Sequence, residues 1–214
     1  MNTEPFRWVE MEVLSSELHA LAKAAAVEIS GMTDGLPWQR FRNRHEHKDA
    51  ITFEQARDAR CAAVWAWRQW FAADETAELL SYLFDIPGLK FDGLGGGVHR
   101  IPAPGGHLDV HVDFNQDRQG RWRRVNVLLF LNERWNDPGG ELELWSVTDD
   151  DAQPVVCFTP ELGTMIAFEC SERSWHGHPV PLQHRTPRKS LAAYYFTDDP
   201  PVDAMPPHST RFLT

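Results

Sequence analysis

Hydrophobic and polar positions divide this chain into two parts with different periods. From Val9 to Ile29, residues Met11, Leu14, Leu18, Leu21, Ala25 and Ile29 recur at i, i+3 and i+4 on an alanine- and glutamate-rich background, which predicts an amphipathic helix. Between Thr52 and Leu83 a proline-free stretch carrying Trp65, Trp67 and Trp70 predicts one long helix or two shorter ones, with the tryptophans packing in the core. The pattern changes at Ile86-Pro-Gly. After Gly93-Leu-Gly95-Gly96-Gly97, β-branched and aromatic residues alternate with polar ones. Strands are expected over 98–101, 107–113, 124–132, 140–147, 154–158, 164–169, 176–180 and 189–197.

Helices first and short strands afterwards imply an α+β fold, a double-stranded β-helix (jelly-roll) core on N-terminal supporting helices. With 214 residues the chain is read as one domain, 1–214. Within it, about 1–90 is mainly helical support, about 91–200 the jelly-roll core, and 201–214 a proline-rich tail. That tail is expected to be an extended end or a segment folded over the mouth of a site.

Charge and cysteine usage narrow the function classes. The 31 acidic against 21 basic residues give a formal charge of -10, and no cluster of Lys and Arg tracks a phosphate backbone, so nucleic acid is excluded as a partner. The opening MNTEPFRWVEMEV lacks a basic stretch followed by an apolar run, and no window reaches the roughly 18 apolar residues of a membrane span. A cytoplasmic protein without a membrane partner is expected. Cys61, Cys157 and Cys170 stand too far apart for a zinc ribbon or a disulfide framework and read as reduced core thiols. Asp149-Asp150-Asp151 reads as a solvated hairpin tip.

The candidate chemistry lies in the strand half. Alternate side chains of a strand share a face, so His111 and Asp113 can both reach one ion about 2 Å from each donor. The same parity applies to His107 and Asp109. His111 and Asp113 are preferred because the polar turn that follows Phe114-Asn115 places them at a strand end, where a site opens. The third ligand comes from Ser174-Trp-His176-Gly-His178, in which spacing does not choose between the two histidines. Two imidazoles and one carboxylate on one side of an octahedral iron(II) leave three positions for a chelating cosubstrate and O2, which points to a non-haem iron oxygenase.

Further on, Arg188, Ser190, Ala192, Tyr194 and Phe196 share a strand face. An arginine pointing into a barrel is costly unless an anion meets it. A guanidinium fork with a hydroxyl two residues on suits the far carboxylate of a dicarboxylic acid whose other end chelates the metal.

Taken in order, Gly95-Gly-Gly-Val-His99, His111-Val-Asp-Phe-Asn115, Arg123 to Asn132, Trp135 with Gly139-Gly-Glu-Leu, His176-Gly and Arg188-Lys-Ser190 resemble the prolyl-4-hydroxylase-like branch of the Fe(II)/2-oxoglutarate-dependent oxygenases. The resemblance covers roughly residues 80 to 197. It implies that His111, Asp113 and His176 hold Fe(II), that Arg188 aided by Ser190 holds 2-oxoglutarate, and that Asn126, Leu128 and Phe130 form the cosubstrate wall. The implied reaction consumes O2 and 2-oxoglutarate, releases succinate and CO2, and hydroxylates an unactivated C–H of a small molecule or peptidyl residue.

The chain departs from the pattern at two points. Relatives often offer the cosubstrate a tyrosine hydroxyl where this chain has Phe130, so another donor is expected from Asn126, Tyr194 or His99. The segment between His176 and Arg188 is longer than in the prolyl enzymes, which argues against peptidyl proline as substrate. Nucleobase demethylases carry a second arginine six residues after the first, where this chain has Tyr194. The rival reading is a jelly-roll metal protein without oxygenase activity, a cupin-like isomerase or ligand-binding sensor, which would draw Glu169 or Glu172 into the coordination set.

Overall fold

A computed structural model describes residues 1–13, 15–32 and 34–213. In chain order the elements are β1 (Trp8–Glu12), α1 (Ser16–Gly31), β2 (Gln39–Arg42), β3 (Glu46–Thr52), α2 (Phe53–Asp58), α3 (Ala62–Phe71), α4 (Asp74–Phe84), β4 (Lys90–Ile101), β5 (His107–Val112), β6 (Trp122–Phe130), β7 (Leu142–Val147), β8 (Ala152–Phe158), β9 (Thr164–Glu169), β10 (Trp175–His178), β11 (Arg188–Thr197) and β12 (Arg211–Phe212). The strands form one antiparallel ladder in the order β1-β9-β6-β11-β4-β3-β5-β10-β7-β8, with β2 on β3 and β12 on β5. Curled on itself, this ladder is the double-stranded β-helix expected from the sequence.

Strand parity decides what each wall faces. Ser190 lies opposite Phe130, Ala192 opposite Leu128 and Tyr194 opposite Asn126, so these six side chains share the inner face. Val125, Val127, Leu129, Leu191, Ala193 and Tyr195 take the other face and pack with Phe53, Val64, Trp67 and Phe71 from the helices. Burying each of these aromatic rings contributes about 1.5–3 kcal/mol. The Tyr195 hydroxyl donates to the Phe71 carbonyl at 2.7 Å, so its polar tip is satisfied inside this core. A second cluster, including Phe6, Phe130, Leu142, Leu144, Phe158, Ile166 and Phe168, fills the space between the walls behind the site.

Local chemistry sets the helix starts. Ser15 caps α1 by accepting from the Leu18 N–H, and Thr52 forms a reciprocal capping box with Gln55 at the start of α2. Trp67 is fully buried and Trp65 and Trp70 pack against the same core, in the packing role expected of them.

The N-terminal third differs from expectation. Trp8–Glu12 is a strand on the edge of the sheet, pairing with β9 from Trp8 opposite Phe168 to Glu12 opposite Thr164, and the helix begins only at Ser16. Val9 and Met11 rest on the helical core because alternate strand residues share a face, a two-residue repeat that continues into the helical rhythm from Leu18. Leu14 lies outside the described residues. The region expected to be mainly helical also contains β2 and β3, whose charged residues hid an inward-facing strand. The stretch from 52 to 83 breaks into three helices rather than one or two.

The glycine run is also not a break. β4 continues through it, and a Cβ on Gly96 would stand 2.3 Å from the Ala192 carbonyl oxygen, so glycine there permits close approach of two backbones. Of the three thiols, Cys61 is buried, Cys170 is half-buried and Cys157 is exposed, so Cys157 is not the core residue expected. The tail, of which Thr214 lies outside the described residues, folds back. Phe212 pairs with His111 through β12, and Asn115 Nδ2 donates to the carbonyls of Met205 and Pro206 at 3.2 and 3.1 Å.

Candidate active site

His111 near the end of β5, Asp113 just beyond that strand, and His176 on the neighbouring β10 converge inside the barrel. β10 pairs with β5 so that His176 lies opposite His111, with ring centroids 4.4 Å apart. The His111 Nε2 is 3.7 Å from Asp113 Oδ1, and the His176 Nε2 is 3.5 Å from Asp113 Oδ2. One ligand atom from each of the three residues lies within 4.8 Å of the others. His111 Nδ1 donates to the Asp109 carbonyl and His176 Nδ1 to the Ser174 carbonyl, each at 2.8 Å. Those bonds fix the tautomers and leave both Nε2 lone pairs turned towards the carboxylate.

Electrostatics favour the ligating forms. Burial, helped by the neighbouring His176, pushes the His111 pKa down to about 3, and burial lowers that of His176, so both imidazoles are neutral near pH 7. Burial alone would raise the Asp113 pKa. Arg123 above all, then the two imidazoles and the Asn126 hydrogen bond, hold it well below the usual carboxylate range. The competing pair is committed elsewhere, His107 to the Gly105 carbonyl at 3.1 Å and Asp109 to His45 at 3.0 Å.

Asp113 is held from behind. Its Oδ2 meets Arg123 Nη2 at 3.0 Å and accepts from Asn126 Nδ2 at 2.8 Å, while Arg123 Nε donates to Asn126 Oδ1 at 2.8 Å. The guanidinium lies over the Tyr194 ring at 3.7 Å. By simple parity Arg123 would point outward with Val125. A bulge shifts the register between Tyr195 and Phe196, which pair with Val125 and Arg123, and so turns Arg123 to the inner face.

Deeper in the barrel, a cavity of about 70 Å³ joins the three converging residues to Arg188, Ser190, His178, His99, Lys48 and Leu128. Arg188 is buried, and its Nε and Nη2, the Ser190 Oγ and the His178 Nδ1 have no hydrogen-bond partner among the described residues. Burial pushes the Arg188 pKa down to about 9. A guanidinium so placed calls for an anion, and two aligned N–H groups beside a hydroxyl fit a carboxylate. Phe130 sits in the apolar cluster behind, with the guanidinium 4.9 Å from its ring.

On the other side of the converging residues a chamber of about 300 Å³ is lined by Phe41, Lys48, Phe114, Tyr194 and Phe212 among others, between the β2–β3 hairpin and the tail. A Lys48–Glu46 ion pair of 3.0 Å stands on its wall.

Residues 96–196 match the family described as the 2OG-Fe(II) oxygenase superfamily, the span that contains all of these inner-wall residues except Lys48 and the hairpin and tail of the chamber. Over that span, just under half of its length, the chain is similar to the 2OG-Fe(II) oxygenase superfamily.

Its fold is that of solved 2OG-Fe(II) oxygenases. A prolyl-4-hydroxylase of Pseudomonas putida is 20% identical, with 89% of this chain and 92% of that chain covered at a TM-score of 0.60. A prolyl hydroxylase from Trichoplax adhaerens, solved with a hypoxia inducible factor peptide fragment, is 18% identical with 89% and 84% covered and a TM-score of 0.57. AviO1 from Streptomyces viridochromogenes is 15% identical with 94% and 92% covered and a TM-score of 0.55. Among curated proteins no sequence matches the chain.

The family so described uses Fe(II), 2-oxoglutarate and O2, and the three converging donors fit such a metal. The carboxylates that a cupin-like site would recruit are engaged elsewhere, Glu169 with Arg7 at 2.7 and 2.8 Å and Glu172 with His208 at 2.8 Å. Sequence reasoning assigned no role to Arg123 or Lys48. Arg123 was masked by the bulge, and Lys48 by the solvent-like charge pattern of Glu46-His-Lys48-Asp49.

Proposed function

We propose that this chain is a 2OG-Fe(II) oxygenase that hydroxylates an unactivated C–H bond of a small molecule or peptidyl residue held in the 300 Å³ chamber, with His111, Asp113 and His176 as the iron ligands and Arg188 with Ser190 as the seat of 2-oxoglutarate. The observation that carries this reading is the unpartnered, buried Arg188 fork and Ser190 hydroxyl in the same cavity as three converging metal-type donors. Iron(II), 2-oxoglutarate and O2 supply the oxidising chemistry, with succinate and CO2 as coproducts.

The protein's own contribution is geometry. His111 and His176 present Nε2 because their Nδ1 protons are tied to backbone carbonyls. Arg123 and Asn126 both engage Oδ2 of Asp113, which leaves Oδ1 as the freer oxygen for a metal. Leu128 and Phe168 give the inner cavity an apolar flank that keeps bulk water away, while Phe41, Phe114 and Phe212 offer a substrate apolar contact in the outer chamber. Tyr194 borders both spaces. Aromatic walls and an acidic surface support a small-molecule or peptide substrate over nucleic acid.

The chain is read as one working unit acting in the cytoplasm, which three unpaired thiols support. No helix among the described residues is long and apolar enough to cross a membrane. The test is conversion of 2-oxoglutarate to succinate by the Fe(II)-loaded protein, measured alone and with pools of metabolites and peptides. Succinate formation that a pool component stimulates, with a product 16 Da heavier, is the expected result. Absence of succinate under every condition would refute the proposal.

A further inference from the structure

Phe130 leaves a chemical gap. In the family it resembles, a tyrosine hydroxyl is often offered to the cosubstrate at that position, and a phenylalanine ring offers no donor. Two of the substitutes the sequence suggests are engaged with Arg123. Asn126 accepts from Arg123 at Oδ1 and donates from Nδ2 to Asp113, and the Tyr194 ring lies beneath the Arg123 guanidinium.

β10 brings another group into place. Alternate residues of this strand face inward, so His176 and His178 both enter the barrel. A register shift between them sets His176 opposite His111 but His178 opposite Leu108, deeper along β5. Gly177 allows the close approach, since a Cβ there would come within 2.9 Å of the Asp109 and Leu108 carbonyl oxygens. His178 is 4% exposed, and its Nδ1 is buried without a partner in the cavity that holds the unpartnered Arg188 and Ser190 atoms.

We propose that His178 is a cosubstrate-binding residue whose Nδ1–H donates to the distal carboxylate of 2-oxoglutarate beside Arg188 and Ser190. This rests on the reading that Arg188 receives that carboxylate. A carboxylate there would satisfy the unpaired polar atoms of all three side chains, each of which otherwise carries the cost of a buried group without a hydrogen bond. The donor serves the far end of the cosubstrate alone, so it favours dicarboxylic over monocarboxylic 2-oxoacids.

The test is isothermal titration of 2-oxoglutarate, and separately of 2-oxobutyrate, into the Mn(II)-loaded protein, with Mn(II) affinity measured first. His178→Leu is expected to weaken 2-oxoglutarate binding roughly tenfold or more. Mn(II) affinity and 2-oxobutyrate binding should stay unchanged in that variant. His178→Asn, which keeps an N–H near the Nδ1 position, should stay within about threefold of the parent. Wild-type affinity in His178→Leu, or loss of Mn(II) in parallel, would overturn the inference. If Arg188→Ala abolishes binding while His178→Leu does not, this inference fails alone; if neither matters, the reading of the site itself fails.

Discussion

Arg123 Nη2 stands 3.0 Å from Oδ2 of Asp113, an ion pair almost wholly removed from solvent at the back of the converging donors. Among the candidate ligands the guanidinium bonds to this carboxylate, so its main effect on a metal runs through the position and charge of Asp113. Replacing Arg123 by leucine should weaken Mn(II) or Co(II) binding about 10- to 100-fold and raise the Asp113 pKa. Metal titrations at pH 6 and pH 8 check both parts. The loss should be larger at the lower pH, and equal affinity to the parent at both values would show that Asp113 needs no such support.

Arg188→Ala should weaken 2-oxoglutarate binding by about 3–5 kcal/mol, because a carboxylate would enter a closed site without its partner. Arg188→Lys should recover only part of this, since an ammonium offers no planar fork. Calorimetry of the Mn(II) form measures each, and unchanged affinity in Arg188→Ala would contradict the assignment.

The two histidines of β10 should separate cleanly. His176→Ala should abolish turnover at any 2-oxoglutarate concentration, because on the proposed assignment the metal would lose a ligand. His178→Ala should raise the KM for 2-oxoglutarate and leave measurable turnover at saturation. Steady-state succinate release distinguishes them, and the opposite ranking would exchange their roles.

Acid stability offers a further test through His99, whose pKa burial pushes down to about 3, with Lys48 and Arg188 adding to the shift. Between about pH 3 and the unfolded value near 6.5 the folded state binds fewer protons than the unfolded one, so this histidine favours folding fully above that window and loses its contribution as pH falls through it. The slope is about 1.4 kcal/mol per pH unit for one such group. Urea midpoints of the metal-free protein measured from pH 7 to pH 4 should fall less steeply in His99→Gln than in the parent, and parallel curves would remove His99 from the account.

The residue pattern alone determined the jelly-roll, the His111-x-Asp113 pair, and an inward arginine two residues before a serine, because strand alternation is a local property with a fixed period. It also determined that the two-histidine, one-carboxylate set suits a redox metal, since that follows from ligand type. Three other matters depended on how distant strands align. Spacing did not separate His176 from His178, although the family resemblance favoured His176; β10 registering against β5, 65 positions earlier at that pair, sets it beside His111. The inward turn of Arg123 came from a bulge, which reverses parity without leaving a mark in the sequence. The strands at Trp8–Glu12 and Glu46–Thr52 form because open sheet edges pair with them, and their own residues resemble a helix start and a solvated loop. Local periodicity says which faces a segment has; only the packed ladder says what each face meets.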